Sequence, residues 1–295
     1  MGIQLSIRPA QQSDKEAVLK FCEHTFDWGD YIPQVWDRWL LEKQAKLFTA
    51  TLNDKPVGIM RVCLQKPGEA WLQAARTDIQ YRRRGIATAL TDTCLQWAVK
   101  RGAEIARLGT DSDNQVAQRA FTRLNFTKVS DFLIMECEEL QTDEAENSKW
   151  TEMTDLKDVW SFLRNSKTFE ASAGLYTMIF EWISLDDDDL RRFIANKKAI
   201  VHKNGKVIDG LVLVDEAIKD AWEEPVFQTC YIDGDYQSIT DMIKLFKTHS
   251  RLRGMKKIYA FACNTPTITK TLTESGFNRE EPSTEFIYQK ELKQA

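Results

Sequence analysis

The sequence predicts a layered α/β fold that occurs twice along the chain. Three observations carry this reading. The chain has 295 residues, enough for two domains of ordinary size. Its first 138 residues alternate strand and helix patterns in the order β, α, α, β, β, β, α, β, α, β, which describes a mixed sheet flanked by helices. The second half then repeats the first. "LNDKPVG" returns as "KNGKVIDG", "EAWLQ" as "DAWEE" and "RAFTRLNF" as "KTLTESGF". The matched residues Asn53 and Asn204, Trp71 and Trp222, and Phe126 and Phe277 are all 151 positions apart. Three agreements in one register mark a duplication. The expected division is 1–138, a polar and acidic linker at 139–150 ("ELQTDEAENSKW"), and 151–295.

The elements follow in order. "IQLSIRPA" is the first strand, with Ile3, Leu5 and Ile7 alternating inward. "MGIQLS" also fits the N-myristoylation pattern M-G-x-x-x-S, but the strand accounts for the same residues. Ser13 or Asp14 caps a helix with Glu16 in its first turn. "FDWGDYIPQVWDRWLLEK" leads into a helix bearing Val35, Trp36, Trp39 and Leu40. Two β-rich runs flank the hairpin turn "NDKP", and "GEAWLQAARTDIQ" is the next strand. Ile86, Leu90, Cys94, Leu95 and Trp97 form the stripe of a helix closed by Gly102. "EIARLGT" is a strand, "DSDNQVAQRAFTRLNF" a helix and "TKVSDFLIMECEEL" the closing strand. Asp186–Asp189 read as the acidic start of a helix, because a calcium loop needs a spaced ligand pattern.

Composition narrows the function. Lys plus Arg is 40 against 44 Asp plus Glu, so no global charge draws nucleic acid. No apolar run approaches the roughly 20 residues of a membrane span, and no basic-then-apolar leader is expected. The six scattered cysteines fit reduced thiols, hence a cytoplasmic protein. The three histidines lie far apart in sequence, so no metal site is expected.

The informative stretch is "YRRRGIATAL". Arg82, Arg83 and Arg84 stand where a strand turns into a helix, although cations belong at helix C-termini. Free amides and the dipole both favour an anion at this junction. Gly85 lets a ligand approach the backbone, and Ala87 is small for the same reason. Arginines supply charge-assisted bonds suited to phosphate, and the ligand implied is a pyrophosphate.

With that junction in place, residues 3 to about 138 resemble the GNAT family of acetyl-CoA-dependent N-acetyltransferases. Arg82-Arg83-Arg84-Gly85-Ile86-Ala87 matches the family's Q/R-x-x-G-x-G/A, and "DNQVAQRAFTRLNF" resembles its N-x-x-A-x-x-x-Y-x-x-x-G-F. The resemblance implies that backbone groups of Ala75, Arg76 and Thr77 hold the pantetheine arm of acetyl-CoA. It implies that amides from Arg83 to Thr88 cradle the pyrophosphate, and that Asn114 contacts the cofactor arm. Asn125 replaces the family's glycine. Phe121 replaces its tyrosine, whose hydroxyl is placed in many members to protonate the departing thiolate. Ser112, Tyr31 or water are the alternative donors.

An amine must lose a proton before attacking a thioester. Glu69 is the expected base, with Asp111 and Asp113 as alternatives. Asp27, Asp30 and Tyr31 are expected to bind a cationic acceptor, with Trp28 and Trp36 as an aromatic wall. The competing reading makes the tryptophans core and the aspartates caps. The expected activity is acetyl transfer to the primary amine of a small molecule or peptide. A CoA-binding sensor or an interaction protein on the same fold is the alternative, and oligomeric state is left open. For the second half, the 151 register sends Arg82 to Asp233 and Gly85 to Tyr236. That predicts a degenerate copy without an anion loop.

Overall fold

A computed structural model describes residues 5–23, 25, 29–217 and 226–293; at 217, 226 and 280–283 it describes the backbone alone. Gly2 and Ile3, the predicted acceptor residues Asp27 and Trp28, and Trp222 lie outside the described residues.

The first half contains β1 (Leu5–Pro9), α1 (Lys15–Cys22), α2 (Ile32–Leu41), β2 (Ala45–Leu52), β3 (Lys55–Lys66), β4 (Glu69–Thr77), α3 (Ile86–Val99), β5 (Ile105–Asp111), α4 (Gln115–Arg123) and β6 (Thr127–Cys137). This is the order read from the periodicities. The second half contains β7 (Ser148–Trp150), α5 (Leu156–Arg164), α6 (Lys167–Ala171), β8 (Leu175–Thr177), β9 (Trp182–Ser184), α7 (Asp187–Ala195), β10 (Ala199–Asn204), β11 (Val207–Ala217), β12 (Val226–Gly234), α8 (Tyr236–Leu252), β13 (Ile258–Cys263), α9 (Pro266–Glu274) and β14 (Asn278–Glu291). It repeats the first order, with α6, β8 and β9 inserted.

Cα proximity divides the chain into two compact units. One comprises Met1–Leu108, Val116–Thr127 and Tyr288–Ala295; the other comprises Gly109–Gln115 and Lys128–Ile287. In the first unit, β1, β2, β3 and β4 form an antiparallel run, and β5 joins β4 in parallel. The end of β14 completes this unit: Leu292 N–H donates to Glu104 O at 2.7 Å, and Lys290 Nζ donates to Leu124 O at 2.7 Å.

Local sequence explains these elements. Asn53 and Asp54 both have positive φ (48° and 64°), the two-residue turn that suits a right-twisted hairpin. α2 buries Ile32, Val35, Trp36 and Trp39, one helical stripe, against Val18, Cys22, Leu47 and Ile59. Trp36 is fully buried in this core, so it forms no open acceptor wall. α3 packs on β3 through Ile86 and Leu90, closely enough that Gly58 is the residue between them.

In the second unit, β7, β10, β11 and β12 pair antiparallel, and β13 joins β12 in parallel. Both halves of the chain carry the same device after their first strand. Gln11 N–H donates to Asp14 at 2.8 Å, with Arg8 paired to Asp14 at 2.7 Å. Glu152 N–H donates to Asp155 at 3.2 Å, with Lys203 paired to Asp155 at 2.6 Å. Asp186 caps α7 through Asp189 N–H at 2.9 Å, as its acidic run implied. The 151 register holds between α4 and α9, which begin at 115 and 266, but not throughout. β4 begins at 69 and β12 at 226.

An alanine Cβ at position 58 would meet Arg76 O and Ile86 Cγ2, both at 3.0 Å. Gly58→Ala is expected to destabilise the protein by about 1–3 kcal/mol, since the α3–β3 contact must open. Urea denaturation measures this, and an unchanged midpoint would contradict the close approach.

Candidate functional site

β4 is the organising strand. Its parallel pairing with β5 covers Glu69–Trp71 against Ile105–Arg107. Past that point Ala74 adopts φ 58°, and the register against β3 slips between the pairs Arg61–Gln73 and Ile59–Arg76. This is a β-bulge, which bends a strand and re-aims its side chains. Ala75, Arg76 and Thr77 therefore emerge at the carboxyl end of β4, where ligands gather in open α/β sheets.

The loop that follows is built rather than loose. Asp78 N–H donates to Val57 O at 2.9 Å, the Asp78 carboxylate accepts from Gln80 N–H at 3.0 Å, and Tyr81 N–H closes a turn on Asp78 O at 2.8 Å. The Tyr81 ring lies under both Arg84 (5.4 Å) and Lys55 (5.5 Å). Arg83 (φ 62°) and Gly85 (φ 77°) are left-handed, and Gly85 is the N-cap of α3. Left-handed residues alternating in a turn aim successive N–H groups inward as an anion nest. A non-glycine residue in that conformation stores strain, which concentrates at functional sites.

Arg82, Arg83, Arg84, Gly85, Ala87 and Thr88 are exposed, while Ile86 is buried and anchors the first turn of α3. Among the described residues none of the three arginines forms an ion pair. The first N–H groups of α3 have no helical partner. Three cations and a helix N-terminus meet in one turn, an arrangement that an anion relieves.

The acceptor candidates are engaged. Asp30 is buried and pairs with Arg76 Nε at 2.7 Å, and its other oxygen accepts from Ile32 N–H at 3.2 Å. Its charge is thereby matched within the protein. Tyr31 lies under the Arg76 guanidinium (5.5 Å) and edge-on to Trp39 (6.0 Å). Burial raises its pKa against the opposing charge of Arg76, so the phenol keeps its proton at neutral pH. Glu69 stands at the opposite end of β4 from the loop. It is buried, and Arg107 Nη1 donates to it at 2.6 Å while Arg107 Nε donates to Gln289 at 2.8 Å. The structure does not bring Glu69 to the loop. Phe121 packs against Phe126 (6.3 Å) and edge-on to Tyr288 (5.5 Å), a phenol from the end of β14. Burial raises the Tyr288 pKa. No sequence signal linked positions 121 and 288.

Ser112, Asn114 and Asp111 belong to the second unit. Ser112 N–H donates to Thr284 O at 2.9 Å, and Asn114 is exposed in a turn on Asp111 O at 3.1 Å. Asp111 is hydrogen-bonded to Glu285 of β14, and Gly109 leaves the space that the Glu285 carboxyl fills. Burial, then the charge of Asp111, pushes Glu285 well above the usual carboxylate range; burial also raises Asp111. This carboxyl pair was not legible in the sequence.

In the same unit, a single residue, Asp235, separates β12 from α8 and caps that helix through Ser238 N–H at 2.8 Å. The counterpart of Gly85 is therefore Asp235, not Tyr236 as the 151 register implied, and the loop is cut to a single capping residue. β12 pairs with β13 only over Phe227–Thr229. Beyond that, Asp233 is hydrogen-bonded to Tyr231, Ser166 and Thr168, and Phe169 packs on Tyr231 at 6.2 Å.

Residues 16–126 match the sequence model of the Acetyltransferase (GNAT) family. An uncharacterised N-acetyltransferase of Methanocaldococcus jannaschii is 31% identical over 112 residues, covering 34% of this chain and 50% of the relative. The chain thus spans about half the length of that curated relative. Among solved structures, a GCN5-related N-acetyltransferase of Sphaerobacter thermophilus aligns over 98% of this chain and 96% of its own, with TM-score 0.62 and 11% identity. A tandem GNAT protein from the clavulanic acid biosynthesis pathway aligns over 99% and 100%, with TM-score 0.55 and 11% identity. At these identities the likeness is one of fold, and the fold is two GNAT-like domains in tandem. No described helix is long and apolar enough to cross a membrane.

The Asp111–Glu285 pair has a definite pH signature. A carboxyl with a raised folded pKa opposes folding once it must ionise. That penalty is absent below the ordinary Glu range and grows as pH rises towards the folded pKa. Glu285→Gln is expected to stabilise the protein at neutral and alkaline pH, with the gain vanishing in acid. Melting curves across pH test this, and a gain that grows instead towards acid would contradict the assigned shift.

Proposed function

We propose, from the match of residues 16–126 to the GNAT family model, that this protein transfers the acetyl group of acetyl-CoA to a primary amine by direct attack in a ternary complex. The observation that carries the reading is the β4–α3 junction. A bulged strand delivers Ala75–Thr77 to a left-handed, arginine-lined loop that opens a helix. In this reading amides of Arg83–Thr88 hold the pyrophosphate and the edge of β4 holds the pantetheine arm. Glu69 is structural, since its charge is matched by Arg107. Tyr288 supplies the phenol that Phe121 lacks and holds its proton until the thiolate departs.

The second reading, a CoA-binding sensor, is favoured by Phe121 itself, which donates no proton. Turnover separates the two. Thiol release from acetyl-CoA across a panel of amines supports the transferase, and CoA binding without release from any amine supports the sensor. In a working transferase Phe121→Tyr should change kcat by less than about tenfold, because the proton is already supplied.

The loop is tested directly. Gly85→Glu should abolish CoA binding in a folded protein, since a carboxylate side chain then stands where the anion approaches. Calorimetry on the parent should give one site per chain, because the second unit has lost its loop. Unchanged affinity in the variant, or two equivalent sites, would contradict the assignment.

A further inference from the structure

The three arginines of the loop do not converge. Arg82 turns back to β4, where its Nε donates to Thr77 O at 3.5 Å. Arg84 lies over the Tyr81 ring, with its guanidinium carbon 5.4 Å from the centroid. Lys55, at the start of β3, reaches the same ring from the β2–β3 hairpin, with its Nζ 5.5 Å from the centroid. The two charges therefore stand within about 11 Å of each other, near the Debye length of roughly 10 Å at 0.1 M salt, so each still feels the other. Lys55 and Arg84 are exposed, and among the described residues neither forms an ion pair. Two carboxylates stand close to them in sequence. Asp78 caps its own turn by accepting from Gln80 N–H at 3.0 Å, and Asp54 is felt by Arg8.

A ring that gathers two cations holds them by its quadrupole against their mutual repulsion, and an anion between them relieves that repulsion. The diphosphate of CoA does not call for this pair. Its phosphodiesters carry one charge per phosphorus and suit the amides of Arg83–Thr88 and the N-terminus of α3. A phosphate monoester carries about −1.5 to −2 charge at pH 7 and offers three acceptor oxygens, which suits two cations at once. CoA carries both kinds of phosphate. The ribose joined to its diphosphate at the 5′ carbon bears a monoester at the 3′ carbon, so the two anions are one sugar apart. In the protein, Tyr81 stands at the entrance of the turn that Gly85 ends. We infer that Lys55 and Arg84, mounted on Tyr81, bind the 3′-phosphate of CoA and make the site select CoA over its dephospho form. This rests on the reading that CoA occupies the β4–α3 loop. Lys55 comes from a hairpin outside that loop, and Tyr81 is a positioning residue that holds the two cations without touching phosphate.

The probes are CoA and dephospho-CoA, which differ only in that phosphate. The readout is their affinity by calorimetry, which needs no acceptor. The parent should bind CoA more tightly by about tenfold or more, the scale of a hydrogen bond to a charged group. Lys55→Gln and Arg84→Gln should each cut that preference to about threefold or less and leave dephospho-CoA affinity within about twofold of the parent. Tyr81→Phe keeps the ring and should keep the preference; Tyr81→Leu removes the mount and should lose it. Arg101→Gln removes an exposed arginine that stacks on Trp97 (4.0 Å) beyond the far end of α3, and it should leave the preference intact. A preference that falls in Arg101→Gln as well would mean that general surface charge suffices, which overturns the inference. So would a Lys55→Gln that weakens both ligands equally, since Lys55 would then serve the shared diphosphate. A parent that binds the two forms equally sinks this inference alone. A parent that binds neither sinks the proposed function beneath it.

Discussion

The bulge at Ala74 is the constraint on which the first unit depends. Side chains alternate across a strand, so a one-residue slip exchanges the faces of everything beyond it. Gln73 and Arg76 are three apart and would point to opposite faces of a regular strand. The slip against Arg61 and Ile59 puts them on one face, that of α2. Without it, Arg76 would point towards α3 and Asp30 would be a buried carboxylate without a cation. The same bend carries β4 from its short ladder with β5 towards the arginine loop. A left-handed alanine costs on the order of 1–3 kcal/mol, and it is tolerated here because Ala74 is buried in the core formed by Trp36, Trp39 and Ile59.

The sequence displayed whatever is periodic or local. Apolar stripes mark α2 and α3, the two-residue turn marks the β2–β3 hairpin, and a glycine after three arginines marks the loop. The bulge was invisible because Ala74 carries no glycine signal for its left-handed backbone. Pairings between distant residues were equally hidden. Asp30 meets Arg76 across 46 positions, and Glu69 meets Arg107 across 38. A carboxylate beside an aromatic helix reads equally as a ligand anchor or as half of a buried pair, and only the fold supplies the arginine. The repeat register failed for a related reason. Insertions and deletions between β11 and α8 leave no mark on the matched residues either side of them.

Electrostatics then sort the acidic candidates. Asp30 and Glu69 each face an arginine at hydrogen-bonding distance, so their charge is matched within the protein. Asp111 and Glu285 face each other instead, so burial and repulsion hold a proton on the pair to higher pH. A matched carboxylate makes a poor base and a good strut; a pair that resists ionisation has the opposite character. Glu69 lies on β4 and Asp30 holds Arg76 of β4, whereas Asp111 ends β5 and Glu285 lies on β14.

The second unit keeps the splay of the first and lines it with residues of its own inserted segment. Its parallel pairing also stops after three residues, and Ser166 and Thr168, flanking the start of the inserted α6, bond to Asp233 just beyond. Phe180 and Trp182 of the same insertion pack on Phe261, and Trp182 also packs on Phe132. This copy has cut the anion loop to one capping residue and carries no arginines at that junction. It is not free to be lost. The chain's last described residues, 288–293, belong to the first unit. Gln289 bonds to the arginine that holds Glu69, Leu292 to Glu104 of the turn before β5, and Tyr288 packs on Phe121. Removing the second half would leave β5 as a bare edge and Arg107 without one of its partners, and exposed edges are what folded sheets avoid. Because the strand that finishes the first unit is encoded at the end of the second, the duplicated half remains necessary to the fold of the first even where it has no ligand of its own.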